Sequence, residues 1–371
     1  MKGRRLRVGV LGCGVIAQVM HLPHLRQMND RFEIVALCDL SEELVRRLGE
    51  AYEVPRVHTH PDDMFAEPLD ALLVLSSGSH APVACAAAEA GIGVFVEKPM
   101  CVTPREGEEM IAAAERAGVT LMVGYHKRYD PAYERALAEL QGLGEPLLAR
   151  TATFESPQDP YLAHHHVLPA TDVDPAVLAE LRADDDKLVA EALPSADEAI
   201  RRFYRTALID SMIHDVNLLA GLCGRPSVKH AAIRADGLGV VGVFGLPTDA
   251  DAVSTWTATA DLVRYEQHFE VITASSRLAL RFPSPFLRNA PTGLVLQAGD
   301  GTVSWEQTFT VSYDEAFRRE LEEFHSCVVT GEPPRTNARE GLEDIRLLKE
   351  LAERAASEPT VGALAAGGPD G

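Results

Sequence analysis

Apolar residues in the first third of the chain come in short unbroken runs rather than in strict alternation. Residues 6–11, 32–38, 71–75, 94–96 and 120–124 are such runs, the pattern of strands buried on both faces. Helix-forming stretches lie between them: one opens at Ser41-Glu42-Glu43, an alanine-rich one runs through Ala90, and a third covers 104–117. Regular alternation of strand and helix predicts an α/β fold with a doubly wound parallel sheet.

The pattern changes beyond Pro131. A polar helix over 132–141 leads to the turn Gly142-Leu143-Gly144-Glu145-Pro146, and a strand is predicted over 147–154. Residues 155–202 are polar, hold His164-His165-His166 and Asp184-Asp185-Asp186, and lack a strand-like core, so they are expected to be an insertion. An amphipathic helix follows over 205–219. Strand-like runs at 253–260, 265–273, 278–282, 293–297 and 303–311, broken by turns such as Gly299-Asp300-Gly301, predict an α+β domain with a large, mostly antiparallel open sheet. Two helices, 314–329 and 338–356, close it, and the tail 365–371 is expected to be disordered. Trp256 and Trp305 sit in these strands and are expected to pack a sheet face or an oligomer interface. The predicted boundary falls at residue 130, between a first domain over 1–130 and a second over 131–371.

Composition narrows the function classes. With 371 residues, 46% hydrophobic and 24% charged, the chain has material for two full cores. The 35 Lys and Arg against 55 Asp and Glu leave a net charge of −20, which repels nucleic acid and anionic membrane surfaces. Neither is expected as a partner. Six cysteines without a C-x-x-C pair read as buried thiols in a reducing compartment. The basic start, 1–7, leads into an apolar run too short for a signal segment or a membrane span, so a cytoplasmic location is expected.

Candidate chemistry sits at the ends of the predicted strands, where open α/β sheets bind ligands. The first strand runs into Gly12-Cys13-Gly14-Val15-Ile16-Ala17, a G-x-G-x-x-A spacing. Gly12 permits a tight turn, Gly14 lets a pyrophosphate approach the backbone, and the small Ala17 lets the next helix pack close. The second strand ends in Asp39, placed to accept a hydrogen bond from a ribose 2′-hydroxyl, which favours NAD over NADP; Asp39 also suits an N-cap for the following helix. Ser76 and Ser77 follow the third strand and suit a ribose or nicotinamide lining. The fourth delivers Glu97-Lys98-Pro99, an acid and a base at a strand rim where a partly desolvated lysine handles protons. In the second domain Asp210, His214 and Asn217, spaced four and three apart, share a helix face. The triplet His164-His165-His166 is not expected to bind a metal, because consecutive side chains splay apart.

Taken together, the glycine turn, Asp39, His80 ahead of Glu97-Lys98-Pro99, and Gly124-Tyr125-His126-Lys127-Arg128-Tyr129-Asp130-Pro131 resemble the Gfo/Idh/MocA oxidoreductase family over nearly the whole chain. The resemblance implies coenzyme contacts from Gly12, Gly14, Val15, Ile16, Ala17, Asp39, Ser76, Ser77, His80, Glu97 and Lys98. It also implies a D-x-x-x-H pair, Asp210 and His214, acting with Lys98 on the substrate, with Tyr125 and Arg128 bordering the site. Departures are the Leu75-Ser76-Ser77 turn, Asn217 where aspartate is frequent, the absence of glycines just before Asp210, and the long 155–202 segment, expected to serve as a lid or partner-contacting arm. The implied activity is hydride transfer between a nicotinamide and a carbinol carbon of a sugar or polyol. Its alternatives are a silent nucleotide or sugar sensor and an epimerase or lyase that retains NAD. A homo-oligomer built through the C-terminal sheet is the implied assembly.

Overall fold

A computed structural model of the chain describes residues 4–234 and 236–357; the expected disordered tail, 365–371, lies outside them. The described chain divides into two compact units, each discontinuous in sequence.

The first unit takes the chain up to His126, together with Ala163–Ala192 and Phe317–Ile345. Its sheet is parallel, in the order β3-β2-β1-β4-β5-β6: β1 Leu6–Leu11, β2 Phe32–Cys38, β3 Arg56–His58, β4 Ala71–Val74, β5 Gly93–Glu97, β6 Leu121–Gly124. The order reverses direction between β1 and β4, the switch point at which such sheets bind ligands. All residues of β4, β5 and β6 are buried, which is why these strands read as unbroken apolar runs. Strand β3 was not apparent in the sequence; three residues with exposed or half-buried side chains, Arg56-Val57-His58, carry no periodicity.

Helix signals act as the sequence suggests. Thr103 and Glu106 form a reciprocal capping box at the start of Pro104–Ala117, and Gly118, in the left-handed region at φ 67°, ends that helix. The outer edge of β6 is covered from far along the chain: Val123 N donates to Thr336 O at 2.9 Å and Thr336 Oγ1 donates to Val123 O at 2.7 Å, beside an antiparallel bridge from Met122 to Asn337.

The second unit takes Lys127–Leu162, Leu193–Ala316 and the chain from Arg346. Its eight-stranded sheet has the order β14-β13-β12-β11-β7-β10-β9-β8. The strands are β7 Leu148–Glu155, β8 Ser227–Ile233, β9 Gly239–Gly245, β10 Asp251–Ala258, β11 Glu266–Ile272, β12 Ser276–Phe282, β13 Gly293–Gly299 and β14 Ser304–Phe309. Pairing is antiparallel throughout except for β7 with β10. Trp256 is 6% exposed, edge-on to Phe203, and donates Nε1–H to Ser211 Oγ at 2.8 Å, whereas Trp305 is 50% exposed on β14.

Two expectations change. The 155–202 segment is helical over Pro175–Ala192, and its central part, Ala163–Ala192, belongs to the nucleotide-side unit rather than to the second domain. Residues Phe317–Ile345 also join the first unit, so a single cut at 130 does not describe the division. Apolar side chains of Phe317, Leu321 and Phe324, all at most 2% exposed, bury that return segment; sequence order carries no sign of which sheet they cover.

Candidate active site

In the first unit the glycine turn starts directly after β1. Gly12 has φ 87°, and a Cβ there would lie 2.3 Å from Ser76 N, so only glycine fits. At Gly14 nothing lies within 4 Å of a notional Cβ, leaving its backbone open to a ligand, while Ala17 is fully buried against the sheet. Val15 is exposed and Ile16 half-buried. Asp39 ties this turn to the end of β2: Oδ2 accepts from Cys13 N at 2.7 Å and Oδ1 from Ser41 N at 3.0 Å. Helix Glu42–Tyr52 is capped by Ser41, whose Oγ accepts from Leu44 N at 3.1 Å. The N-cap suggested for Asp39 is therefore corrected, and its carboxylate stands at the strand end. A half-buried acid beside a side-chain-free turn fits the adenosine ribose and pyrophosphate of a dinucleotide.

The Glu97-Lys98-Pro99 triplet ends β5. Glu97 is 7% exposed; its Oε2 accepts from Lys98 N at 3.1 Å and its Oε1 lies 2.7 Å from His21 Nε2. His21 is fully buried, edge-on to Phe95 and Phe317 at 5.4 and 5.6 Å, and its ligand-type atom, with those of Glu97 and Glu320, falls within 4.8 Å of the other two. This buried set orients Glu97, which in turn fixes the backbone at Lys98. Lys98 itself is half-buried, and the peptide to Pro99 is cis. Among the described residues the converging ligand-type groups are these, not His164-His165-His166.

His80 changes role. It is 3% exposed, with Nδ1 2.9 Å from Pro99 O and Nε2 2.6 Å from Ser76 O. Burial holds its pKa below the ordinary value, against the pull of both carbonyls and of Glu97 and Glu106. The ring pins the end of β4 to the Lys98-Pro99 turn. Ser76 is half-buried and Ser77 exposed at the same strand end.

Tyr125 does not border an open site. It is 1% exposed, and burial followed by the charge of Asp344 raises its phenol pKa well above the ordinary value. It packs because β6 is buried on both faces, which a resemblance of motifs does not reveal.

The second unit carries the other candidate residues on Tyr204–Met212, a π-helical stretch, and its continuation Ile213–Cys223. Asp210 is exposed and His214 half-buried. Asn217 is 2% exposed and points inward with Arg128, whose Nη1 lies 3.4 Å from Asn217 Oδ1 and whose guanidinium sits 5.4 Å over Tyr133. Arg128, expected at the site border, is a buried strut at 8% exposure. Asp210 lies on the π-helical stretch, while His214 and Asn217 lie on the α-helix that follows; exposure falls from Asp210 through His214 to the buried Asn217.

Sequence reasoning passed over the next residue, Asp215. It is fully buried; both of its oxygens accept from Thr153 Oγ1 at 3.0 and 2.9 Å, and Oδ1 accepts from Gln267 Nε2 at 2.8 Å. Lys127 Nζ donates to Gln267 Oε1 and to Tyr265 OH, the latter at 3.1 Å. Burial pushes the Asp215 carboxyl up to about 6, against the lowering effect of Gln267, Lys127 and Thr153. An acid immediately after a histidine on an apolar helix was the available signal.

Comparison with known proteins agrees with this geometry. Residues 6–125 match the model of the GFO/IDH/MocA oxidoreductase family with its NAD-binding Rossmann fold. Over that span, about a third of its length, the chain is similar to that family. The chain is similar to D-apiose dehydrogenase of Paraburkholderia graminis, 36% identical over 172 residues, 44% of this chain and 45% of that protein. It is also similar to myo-inositol 2-dehydrogenase of Thermotoga maritima, 24% identical over 346 residues, 91% of this chain and 92% of that one. The fold is that of a 3-ketoreductase from Actinomadura kijaniata solved with NADP, TM-score 0.72 at 18% identity over 95% of this chain and 98% of that one. The match to the NAD-binding Rossmann model lies within the first unit. Among its described residues no helix is long and apolar enough to cross a membrane.

Proposed function

We propose that this protein transfers a hydride reversibly between NAD and a carbinol carbon of a sugar, polyol or sugar-derived substrate. The observation that carries the reading is Lys98 at the rim of β5, held by a buried Glu97 beside a glycine turn that bears an acid at the end of the neighbouring strand. Two relatives named for a sugar and a cyclitol dehydrogenase support the substrate class. When bound, the nicotinamide supplies the hydride acceptor or donor; Gly12, Gly14 and Asp39 would hold the adenosine and pyrophosphate side, with Ser76 and Ser77 at the next strand end.

We assign proton handling to Lys98 and His214, one taking the hydroxyl proton and the other orienting the oxygen. Asp210 would bind a neighbouring hydroxyl, and its exposure suits a polyhydroxylated ligand. A homo-oligomer through the second sheet, where Val241 and Trp305 are 45% and 50% exposed, and a cytoplasmic location complete the reading; sedimentation of the purified protein tests the assembly. The test of activity is a panel of sugars and polyols with added NAD or NADP, followed at the reduced-nicotinamide absorbance band. Turnover of at least one polyol with NAD is expected. Absence of any coenzyme reduction across the panel, with no nucleotide bound in a titration, overturns the reading.

A further inference from the structure

The segment that precedes Pro175–Ala192 is fastened across the coenzyme edge of the parallel sheet, within the first unit. Leu168 N donates to Gln18 Oε1 at 2.8 Å, and Gln18 Nε2 donates back to Leu168 O at 3.0 Å and to Cys13 O at 2.8 Å. Four residues on, Asp172 reaches the end of β2: Ser41 Oγ donates to its Oδ1, and Glu43 N donates to its Oδ2 at 2.9 Å. Farther along, Glu191 pairs with Arg105 at 2.7 Å. The strap therefore runs from the glycine turn to the start of helix Glu42–Tyr52, past the acid Asp39.

That place has a chemical meaning in this fold. The residue ending β2 meets the ribose 2′ position, and the groups just after it meet whatever that position carries. A serine hydroxyl and a free amide at the first turn of an eleven-residue helix are donors suited to a phosphate. Asp39 alone would leave them available to a 2′-phosphate. Here both already hold a carboxylate, and these donors, Ser41 first, keep the Asp172 pKa below its ordinary value.

We propose that Asp172 is a coenzyme-specificity residue: its carboxylate occupies the seat that a 2′-phosphate would take, so that NADP is rejected by a second acid while NAD, with only a 2′-hydroxyl, is unaffected. The inference rests on the NAD reading and deepens it. Asp172 shares no hydrogen bond with Asp39, yet both converge on Ser41, one through the hydroxyl and one through the amide. A 2′-phosphate would have to displace one carboxylate and lie beside the other.

Calorimetric titration of the full-length protein with NAD, NADP, adenosine 5′-monophosphate and adenosine 2′,5′-bisphosphate tests this without turnover. Asp172→Ala should tighten NADP and the 2′,5′-bisphosphate about tenfold or more while leaving NAD and the monophosphate within about twofold, the change expected on removing one like charge. Asp172→Glu, which keeps the charge, should restore discrimination, and Asp172→Asn should fall between. A wild-type preference for NAD that stays the same in Asp172→Ala and Asp172→Asn overturns the proposal and leaves the NAD reading standing. A wild-type preference for NADP overturns both.

Discussion

Replacing Thr153 by valine isolates one buried, hydrogen-bonded carboxyl in the second unit, that of Asp215. The hydroxyl of Thr153 donates toward both oxygens of Asp215 at 3.0 and 2.9 Å, and both residues are at most 1% exposed. Valine keeps the shape of the side chain but offers no donor. A hydrogen bond to a buried charged group is worth about 1.5–3 kcal/mol, and the loss is felt in full only while the acceptor is ionised. The sign follows from the raised Asp215 pKa: its own contribution to stability is fully present below the ordinary carboxylate range and is lost as pH rises through about 6. Above that pH the native state carries an ionised Asp215 and needs Thr153 most. Thr153→Val should therefore cost about 2 kcal/mol at pH 8 and less than about 1 kcal/mol at pH 5. Urea unfolding followed by tryptophan fluorescence measures it cleanly, because Trp256 and Trp305 are the two tryptophans of the chain and both lie in the second unit. Equal destabilisation at the two pH values, or none at either, would refute the reasoning.

Lys98→Ala should lower turnover by a factor of about a hundred or more with nucleotide affinity nearly intact, since proton transfer is lost and the phosphate turn is untouched; stopped-flow or steady-state kinetics with a coenzyme titration reads both. His214→Ala should give a loss of similar order, and wild-type kinetics would make His214 a packing residue. Gly12→Ala should abolish nucleotide binding or soluble expression, because its Cβ would sit 2.3 Å from Ser76 N at a φ of 87°; a binding-competent protein would contradict the turn geometry.

Much of the first unit was legible because its signals are local. Leu6–Leu11, Phe32–Cys38 and Pro104–Ala117 are bounded as their apolar runs and caps suggest, and the G-x-G-x-x-A turn occupies consecutive residues. What stayed hidden depends on contacts distant in sequence. His21 reaches Glu97 across 76 positions, and Asp172 reaches Ser41 across 131; neither has a spacing that a periodicity reveals. Tyr125, Arg128 and His80, placed at the site by motif, are all buried, a packing state that a motif does not record because it tells which residues occur together and not how exposed each side chain is. The polar 155–202 segment misled for the opposite reason: Pro175–Ala192 is a helix with almost no buried residues, so it lacks the apolar stripe by which helices are read.

The cover on β6 bears on how the protein is made. A ribosome releases β1 to β6 long before Thr336 and Asn337, which complete the outer edge of the parallel sheet. Through most of synthesis Leu121–Gly124 is thus an apolar strand with one ladder unpaired, the feature that recruits foreign strands. The nascent chain should depend on holding chaperones until its last tenth emerges, and truncation before Thr336 should yield aggregates rather than a free nucleotide-binding domain.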